Sequence, residues 1–362
     1  MKNVKISPRQ FGILVIFYSI GTAILITPSE LATIAKQDAW IASILGVGLA
    51  LLLVMLYTTL GNRFMDKTFV EINEILLGKW LGKLVSLTFV FFSLIGAAIL
   101  LIIMGYFVTT QIMPVTPIAA IHILFVTIVV MAVRLGIETT ARAAEILFPL
   151  FVLLFIMFAV LISPQIDFQK LQPVLETGIK PIIHATISFT SIISLSPIIL
   201  LMIFPVSVNQ PKQAQKAFFI GTFFGGIFLI ITIALTILVL GVDQTERHIY
   251  PSYAVAKKIN VGNFLQRIEA IMAIMWIITI YFRLVMYFYV TVLGLSQILN
   301  LKDYRPLTLP LGIILVVLSL IIYPNIIYAA KWTKETWLPY ASTYGLVLPV
   351  LLLVVAKLRK RP

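Results

Sequence analysis

The chain has 362 residues, of which 60% are hydrophobic and 11% charged, with a net charge of +13 and no cysteine. Soluble domains run about 45–50% apolar and about 25% charged. This composition, with a mean hydropathy of +1.07, therefore excludes a soluble enzyme, a disordered chain and a disulfide scaffold, and marks a polytopic membrane protein. The three histidines (His122, His184, His248) are too scattered for a zinc cluster. No nucleophile–base pair is apparent, so neither an enzyme, a cofactor nor a resident metal is expected. The positive charge reads as loop charge at a lipid bilayer rather than a nucleic-acid face.

Apolar blocks of roughly 20 residues cross a ~30 Å hydrocarbon core, and blocks that long are helices rather than barrel strands. Ten such spans are predicted, at 10–35, 39–60, 82–110, 117–134, 143–163, 182–206, 215–241, 265–297, 307–324 and 337–357. The basic stretch before span one is followed by a run too long for a cleavable signal peptide, without a small-residue cleavage site.

Span one carries Gly21-Thr22-Ala23-Ile24-Leu25-Ile26-Thr27-Pro28. Gly costs ~1 kcal/mol in a helix interior and Pro deletes a backbone hydrogen bond, so an interruption is predicted there, with Glu30 as a helix-end carboxylate beyond it. Residues 61–81 mix Phe64, Phe69, Ile72, Ile75, Leu76 and Trp80 with charges, the pattern of a short amphipathic helix on the membrane surface. On span three, Gly96-Ala97-Ala98 allows a neighbouring helix or a ligand to come close. Arg134, Glu138, Arg142 and Glu145 suggest an ion-pair knot where span five begins.

Span six reads Ser191-Ile192-Ile193-Ser194-Leu195-Ser196-Pro197. Pro197 frees backbone groups near Ile193, which Ser194 and Ser196 are placed to satisfy. His184, near the outer start of this span, reads as an interface residue or a proton relay. Residues 242–264 form the longest outer loop, either a cap over a vestibule or a plain linker. Span eight holds Arg283, with Tyr287 one turn on. An intramembrane charge marks function by default. Arg283 has three readings: a bidentate carboxylate ligand, a substitute for a coupling cation, or a side chain that snorkels to the surface.

Lys and Arg crowd both termini and the loops after spans two, four, six and eight, so the positive-inside rule makes both termini cytoplasmic. Five spans are an odd number, so a second set of five enters the membrane inverted. Breaks at the first position of each set predict an inverted-repeat transporter fold, a single domain over 1–362 with repeats at approximately 10–163 and 182–357.

Several short stretches carry a resemblance: Gly21 to Pro28, Asp38-Ala39-Trp40-Ile41, Leu77-Gly78-Lys79-Trp80-Leu81-Gly82, Gly136-Ile137-Glu138 with Arg142 and Phe148-Pro149, Leu171-Gln172-Pro173-Val174-Leu175, Arg267-Ile268-Glu269 with Trp276-Ile277, and Tyr323-Pro324. In this order, over nearly the whole chain, they resemble the B subunit of spore nutrient germinant receptors. That is the endospore germination permease family of the amino acid–polyamine–organocation superfamily, with a leucine-transporter-like fold. The resemblance implies an integral protein of the spore inner membrane. It would bind a small nutrient, often an amino acid, and signal to a larger membrane-embedded A subunit and a lipoprotein C subunit. Carried over by position, the ligand-binding candidates are Gly21, Thr22, Ala23 and Ile24 on span one, Phe92 and Gly96 on span three, Ser194, Leu195, Ser196 and Pro197 on span six, and Arg283 and Tyr287 on span eight. Two departures stand out. The family more often has a second Gly where Ala23 stands, and more often a Gly-x-Glu-like stretch where this chain has Pro197-Ile198-Ile199. The function implied is nutrient sensing in spore germination. The alternative is secondary active amino-acid transport coupled to Na⁺ or H⁺, which the same scaffold permits.

Overall fold

The computed structural model describes residues 5–259 and 269–359. Of the stretches read from sequence, 260–264 of the long outer loop, Arg267-Ile268 and the basic residues after 359 lie outside them. Among the described residues eight helical stretches are long and apolar enough to cross a bilayer. One of them, Ala23–Arg63, turns a 3₁₀ corner at Lys36–Asp38 and joins the second half of span one to span two. The first half of span one, Pro8–Ile20, and span nine, Thr308–Ile321, are shorter. Together they make the ten spans.

Span one begins sharply because Ser7 and Gln10 form a capping box, with Gln10 N donating to Ser7 Oγ at 3.1 Å and Ser7 N to Gln10 Oε1 at 3.0 Å. Its first half ends at Gly21, whose φ of 35° suits a residue without a side chain. The second half, Ala23–Ala35, starts at once. The interruption is thus confined to Gly21 and Thr22, and the helix continues through Pro28. The carbonyl that Pro28 leaves without a backbone donor, that of Ile24 four residues back, accepts from Ser252 Oγ at 2.6 Å. Span six breaks more widely. Its helix, Ile179–Ile193, gives way to a 3₁₀ segment over Ser196–Met202.

Span eight, Glu269–Ile298, is the buried centre of the bundle, packed against spans one, three and five. The outer faces of the surrounding helices expose apolar side chains such as Leu52, Leu124, Val160 and Ile313, as a lipid-facing surface requires.

Three sequence expectations need correcting. The amphipathic helix is confined to Phe69–Leu77, with a Thr68–Glu71 capping box. Its apolar face, Phe69, Val70, Ile72 and Leu76, is buried against protein rather than laid on lipid, because it closes the base of span three. Trp80 belongs to the next helix and is 86% exposed. The ion-pair knot is divided. Arg142 pairs with Glu138, whereas Glu145 turns to span one, 3.5 Å from Arg9 Nε and 3.1 Å from Gln10 Nε2. Span ten begins at Ile326, eleven residues earlier than read from sequence, and includes π-helical turns at Thr333–Trp337 and Thr343–Val347.

Two of the stretches behind the resemblance meet in space. Asp38 accepts from Leu175 N at 2.9 Å and from Thr177 Oγ1 at 3.3 Å. Gln37 Nε2 donates to Pro173 O at 2.7 Å. The corner after span one is thereby pinned to the connection between the two halves of the chain.

Candidate functional site

The two breaks lie side by side, and Arg283 fills the space between them. It stands 14 residues into span eight, about 21 Å along the axis at ~1.5 Å per residue. It is 3% exposed, so it does not snorkel. Its Nη2 donates to Ile192 O at 2.9 Å and Ser196 Oγ at 3.1 Å. Its guanidinium carbon sits 5.0 Å from the centre of the Tyr18 ring, a cation–π contact. Gly21 permits this approach. A Cβ there would meet the Arg283 Cδ and come within 2.8 Å of Nη1. The arrangement has an electrostatic cause. The half-helices Pro8–Ile20 and Ile179–Ile193 both end here, and each C-terminus carries roughly −0.5 of a charge. A single guanidinium offsets both. Its Nε and Nη1 have no hydrogen-bond partner among the described residues.

Several carbonyls at the breaks are satisfied from other spans, and none by the serines of span six as expected. Thr279 Oγ1 donates to Gly21 O at 3.1 Å, and Trp337 Nε1 to Ser191 O at 3.1 Å. The Tyr57 hydroxyl lies within reach of three carbonyls, Ser194 O at 3.0 Å, Leu195 O at 3.2 Å and Gly345 O at 2.8 Å. Ser194 Oγ has no partner among the described residues, and Ser196 Oγ accepts from Arg283. The close approach of span ten is visible at Gly345, where a Cβ would run into the Leu195 backbone.

Beside Arg283 is a cavity of about 90 Å³, space for roughly six waters at ~15 Å³ each. Thr22 and Ala23 line it from span one, Gly96 from span three, Ile192 from span six, and Arg283 and Tyr287 from span eight. Tyr287 is held by an offset stack on Tyr18 at 5.7 Å, and its backbone oxygen accepts from Ser93 Oγ at 2.8 Å.

Other residues carried over by position lie elsewhere. Phe92 is behind the cavity, stacked on Tyr344 at 4.7 Å and on Trp337 at 6.2 Å. Ile24, Leu195 and Pro197 are buried without lining it. Gly21 and Ser196 reach it only through Arg283, and Ser194 contributes its carbonyl to Tyr57. Sequence reasoning missed the span-ten wall of Trp332, Thr333 and Trp337, as well as Ile26, Thr27 and Glu30 at the upper end.

The cavity continues into a larger vestibule of about 370 Å³ on the side away from the chain termini. The two share Ile26, Glu30, Ile103 and Thr333. His184, Ser188, Tyr250 and Lys334 line the vestibule further out. The long outer loop covers it with two short helices, Val242–Arg247 and Pro251–Lys257. They are moored by Ser252 on Ile24, by Ser29 Oγ on Glu246 O at 3.2 Å, and by Lys36 Nζ on Glu246 Oε2 at 2.6 Å. Phe107 wedges edge-on between Tyr250 and Tyr253, at 5.1 and 5.2 Å. Burial pushes the Tyr250 phenol up to about 12, so the cap presents a neutral hydroxyl to the vestibule.

Ten membrane spans, with broken first and sixth helices around a cavity near mid-bundle, define a protein built on a transporter scaffold. Solved structures agree. The chain superposes on a Na⁺-coupled sialic acid symporter with a TM-score of 0.65 at 11% identity, over 94% of this chain and 78% of that one. It superposes on Mhp1, a nucleobase-cation-symport-1 family transporter, with a TM-score of 0.61 at 12% identity, over 98% and 94%. At such identities the likeness concerns the fold alone. The sequence itself is more specific. Residues 5–327 match the Spore_permease family, described as spore germination protein, and the chain belongs to that family. It is 32% identical to spore germination protein KB of Bacillus subtilis (strain 168), over 100% of this chain and 97% of that one. It is 28% identical to spore germination protein YndE of the same organism, over 99% and 98%.

Proposed function

We propose that this protein is the ligand-sensing membrane subunit of a spore nutrient-germinant receptor. A small nutrient of the amino-acid class enters from the vestibule and occupies the cavity beside Arg283. One observation carries this reading: a buried guanidinium lines the cavity, and two of its donor nitrogens have no partner among the described residues. Such a group suits a carboxylate, which it binds through a charge-assisted hydrogen bond. The uncapped start of the second half of span one, at Thr22 and Ala23, adds the positive end of a helix dipole beside the same cavity. Gly21, Thr22, Ala23, Gly96, Ser196 and Tyr287 shape the site around Arg283. Ile24, Phe92, Ser194, Leu195 and Pro197 support it from behind.

The signal is a population shift. Ligand favours the state in which the broken helices and the outer cap close on it, and closure alters contacts with partner subunits, a larger A subunit and a lipoprotein C subunit. Only differential affinity for the two states drives such a shift. The repeats, approximately 10–163 and 182–357, are the bodies that move against each other. Both termini face the cytoplasm and the membrane is the spore inner membrane.

The test uses spores of the source organism lacking this gene, followed by dipicolinate release against a panel of nutrients. Loss of response to one subset of nutrients, with others still active, is expected. Unchanged germination combined with reduced amino-acid uptake by growing cells would refute the reading in favour of a transporter.

A further inference from the structure

We propose that Glu30 is the amine-binding pole of the cavity, so that the site selects a zwitterion with an apolar side group, held carboxylate toward Arg283 and ammonium toward the vestibule. The inference rests on the reading that the cavity receives the ligand, and adds which groups recognise its two charges. Glu30 and Arg283 are the charged residues lining the cavity; the other walls are apolar side chains, threonine hydroxyls, the Tyr287 phenol and the Trp332 and Trp337 indoles.

A cation entering a broken-helix site ordinarily finds freed carbonyls. Here several of those carbonyls are taken. Thr279, Ser252, Trp337 and Arg283 donate to Gly21, Ile24, Ser191 and Ile192 in turn, and the one Tyr57 hydroxyl proton is shared among Ser194, Leu195 and Gly345. Arg283 also places a fixed positive charge at the negative helix ends and repels a second one. Both features favour an ammonium that binds elsewhere.

Glu30 meets the requirement. Ser188 Oγ donates to its Oε1. Its Oε2 has no hydrogen-bond partner among the described residues. His184 and Lys334 line the same vestibule and act on Glu30 electrostatically, but neither comes close enough for an ion pair or a hydrogen bond. A carboxylate within a membrane bundle is costly without a cation. Glu30 is seven residues beyond Ala23, about 10 Å along the helix, and helical side chains lean back toward the N-terminus. Two charge-assisted hydrogen bonds of ~2.8 Å each then leave room between the poles for the backbone of an α-amino acid.

The experiment uses the full chain in lipid nanodiscs. Trp332 and Trp337 line the cavity, so intrinsic tryptophan fluorescence reports occupancy. The probes are the twenty amino acids and, for each one that binds, its deaminated acid and its decarboxylated amine. The wild-type chain should bind the zwitterion about tenfold to a hundredfold tighter than the deaminated acid, the scale of one charge-assisted hydrogen bond. In Glu30→Gln that ratio should fall to within about threefold, while binding of the deaminated acid stays unchanged and so verifies the fold. Glu30→Asp, which keeps the charge one methylene further back, should fall between. A ratio that survives Glu30→Gln, or Glu30→Asp if the first variant cannot be purified, overturns this inference alone. Silence of the wild-type chain toward all twenty amino acids overturns it together with the amino-acid reading above.

Discussion

Replacing Arg283 with Met separates the two roles of the buried guanidinium. In the folded protein Arg283 makes two hydrogen bonds, to Ile192 O and Ser196 Oγ, and one cation–π contact with Tyr18. Hydrogen bonds to charged groups contribute about 1.5–3 kcal/mol each and a desolvated cation–π contact about 2 kcal/mol, so about 5–8 kcal/mol is lost. Against this, removing the charge releases a desolvation penalty of several kcal/mol. The two nearly cancel, and the net change in stability should be smaller than about 3 kcal/mol. Binding has no such compensation. A carboxylate in the cavity loses its charge-assisted bond to the guanidinium, about 1.5–3 kcal/mol, which corresponds to roughly tenfold to a hundredfold in affinity. Arg283→Lys keeps a charge without the fork and should recover part of the loss. Thermal unfolding and tryptophan fluorescence, measured on the same nanodisc preparation, read the two quantities separately. A Met variant that binds carboxylate ligands within threefold of wild type would refute the anchoring role. A Met variant destabilised by more than about 5 kcal/mol would show that the guanidinium chiefly holds the breaks together.

Gly96→Ala should raise the dissociation constant for carboxylate ligands at least tenfold without reducing membrane insertion. The new Cβ would lie 2.9 Å from Tyr287 Cδ1 and 3.0 Å from Cζ, and overpacking of that kind costs ~1–3 kcal/mol unless the ring moves into the cavity. Ligand titration checks it, and an unchanged constant would place the cavity elsewhere. Ser252→Ala should loosen the outer cap, with faster amide exchange over 242–259, because Ile24 O loses its donor at a cost of about 1–3 kcal/mol. Pro28→Ala restores a backbone N–H for that same carbonyl. In that background Ser252→Ala should have little further effect, and additive effects in the double-mutant cycle would refute the link between Pro28 and the cap.

The spans were legible because a bilayer imposes one length on every crossing, and nothing else in the sequence competes with that signal. The breaks were legible because Gly21 and Pro197 are costly inside helices, and Arg283 because a charge in an apolar block needs a reason. What the reading missed was the first eleven residues of span ten. Lys331, Lys334 and Glu335 interrupt its first turns, so the stretch reads as loop, and the cavity wall at Trp332, Thr333 and Trp337 went unrecognised. The crowding of Tyr323, Tyr328, Trp332, Trp337, Tyr340 and Tyr344 was the available signal, since aromatic rings gather where one end is wet and the other apolar. The donors that close the freed carbonyls were not legible at all. Tyr57 and Ser194 are 137 residues apart, and Ser252 and Ile24 are 228 apart, and no local pattern links them. Phe92 failed for a related reason. It is buried against span ten, and which neighbour it meets depends on the π-helical turns there.

These side-chain donors bear on whether the scaffold carries cargo. A coupling ion does work by leaving on the far side of the membrane, and its site must therefore be open to solvent in turn from each side. On the proposed reading, the guanidinium tethered to span eight, opposite two negative helix ends, stands in place of such an ion and cannot leave. Whatever free energy it contributes is the same in every cycle, so no ion gradient can be drawn on through it. What remains available is the ligand's own preference for one arrangement of the broken helices. That preference is also the coupling a partner subunit would detect. By reciprocity, a partner that senses closure must itself change the affinity for ligand by the same factor. On the proposed reading, the complete receptor and the isolated chain therefore differ in ligand affinity. Equal affinities in nanodiscs with and without the partner subunits would mean that occupancy of this cavity is not what the partner reads.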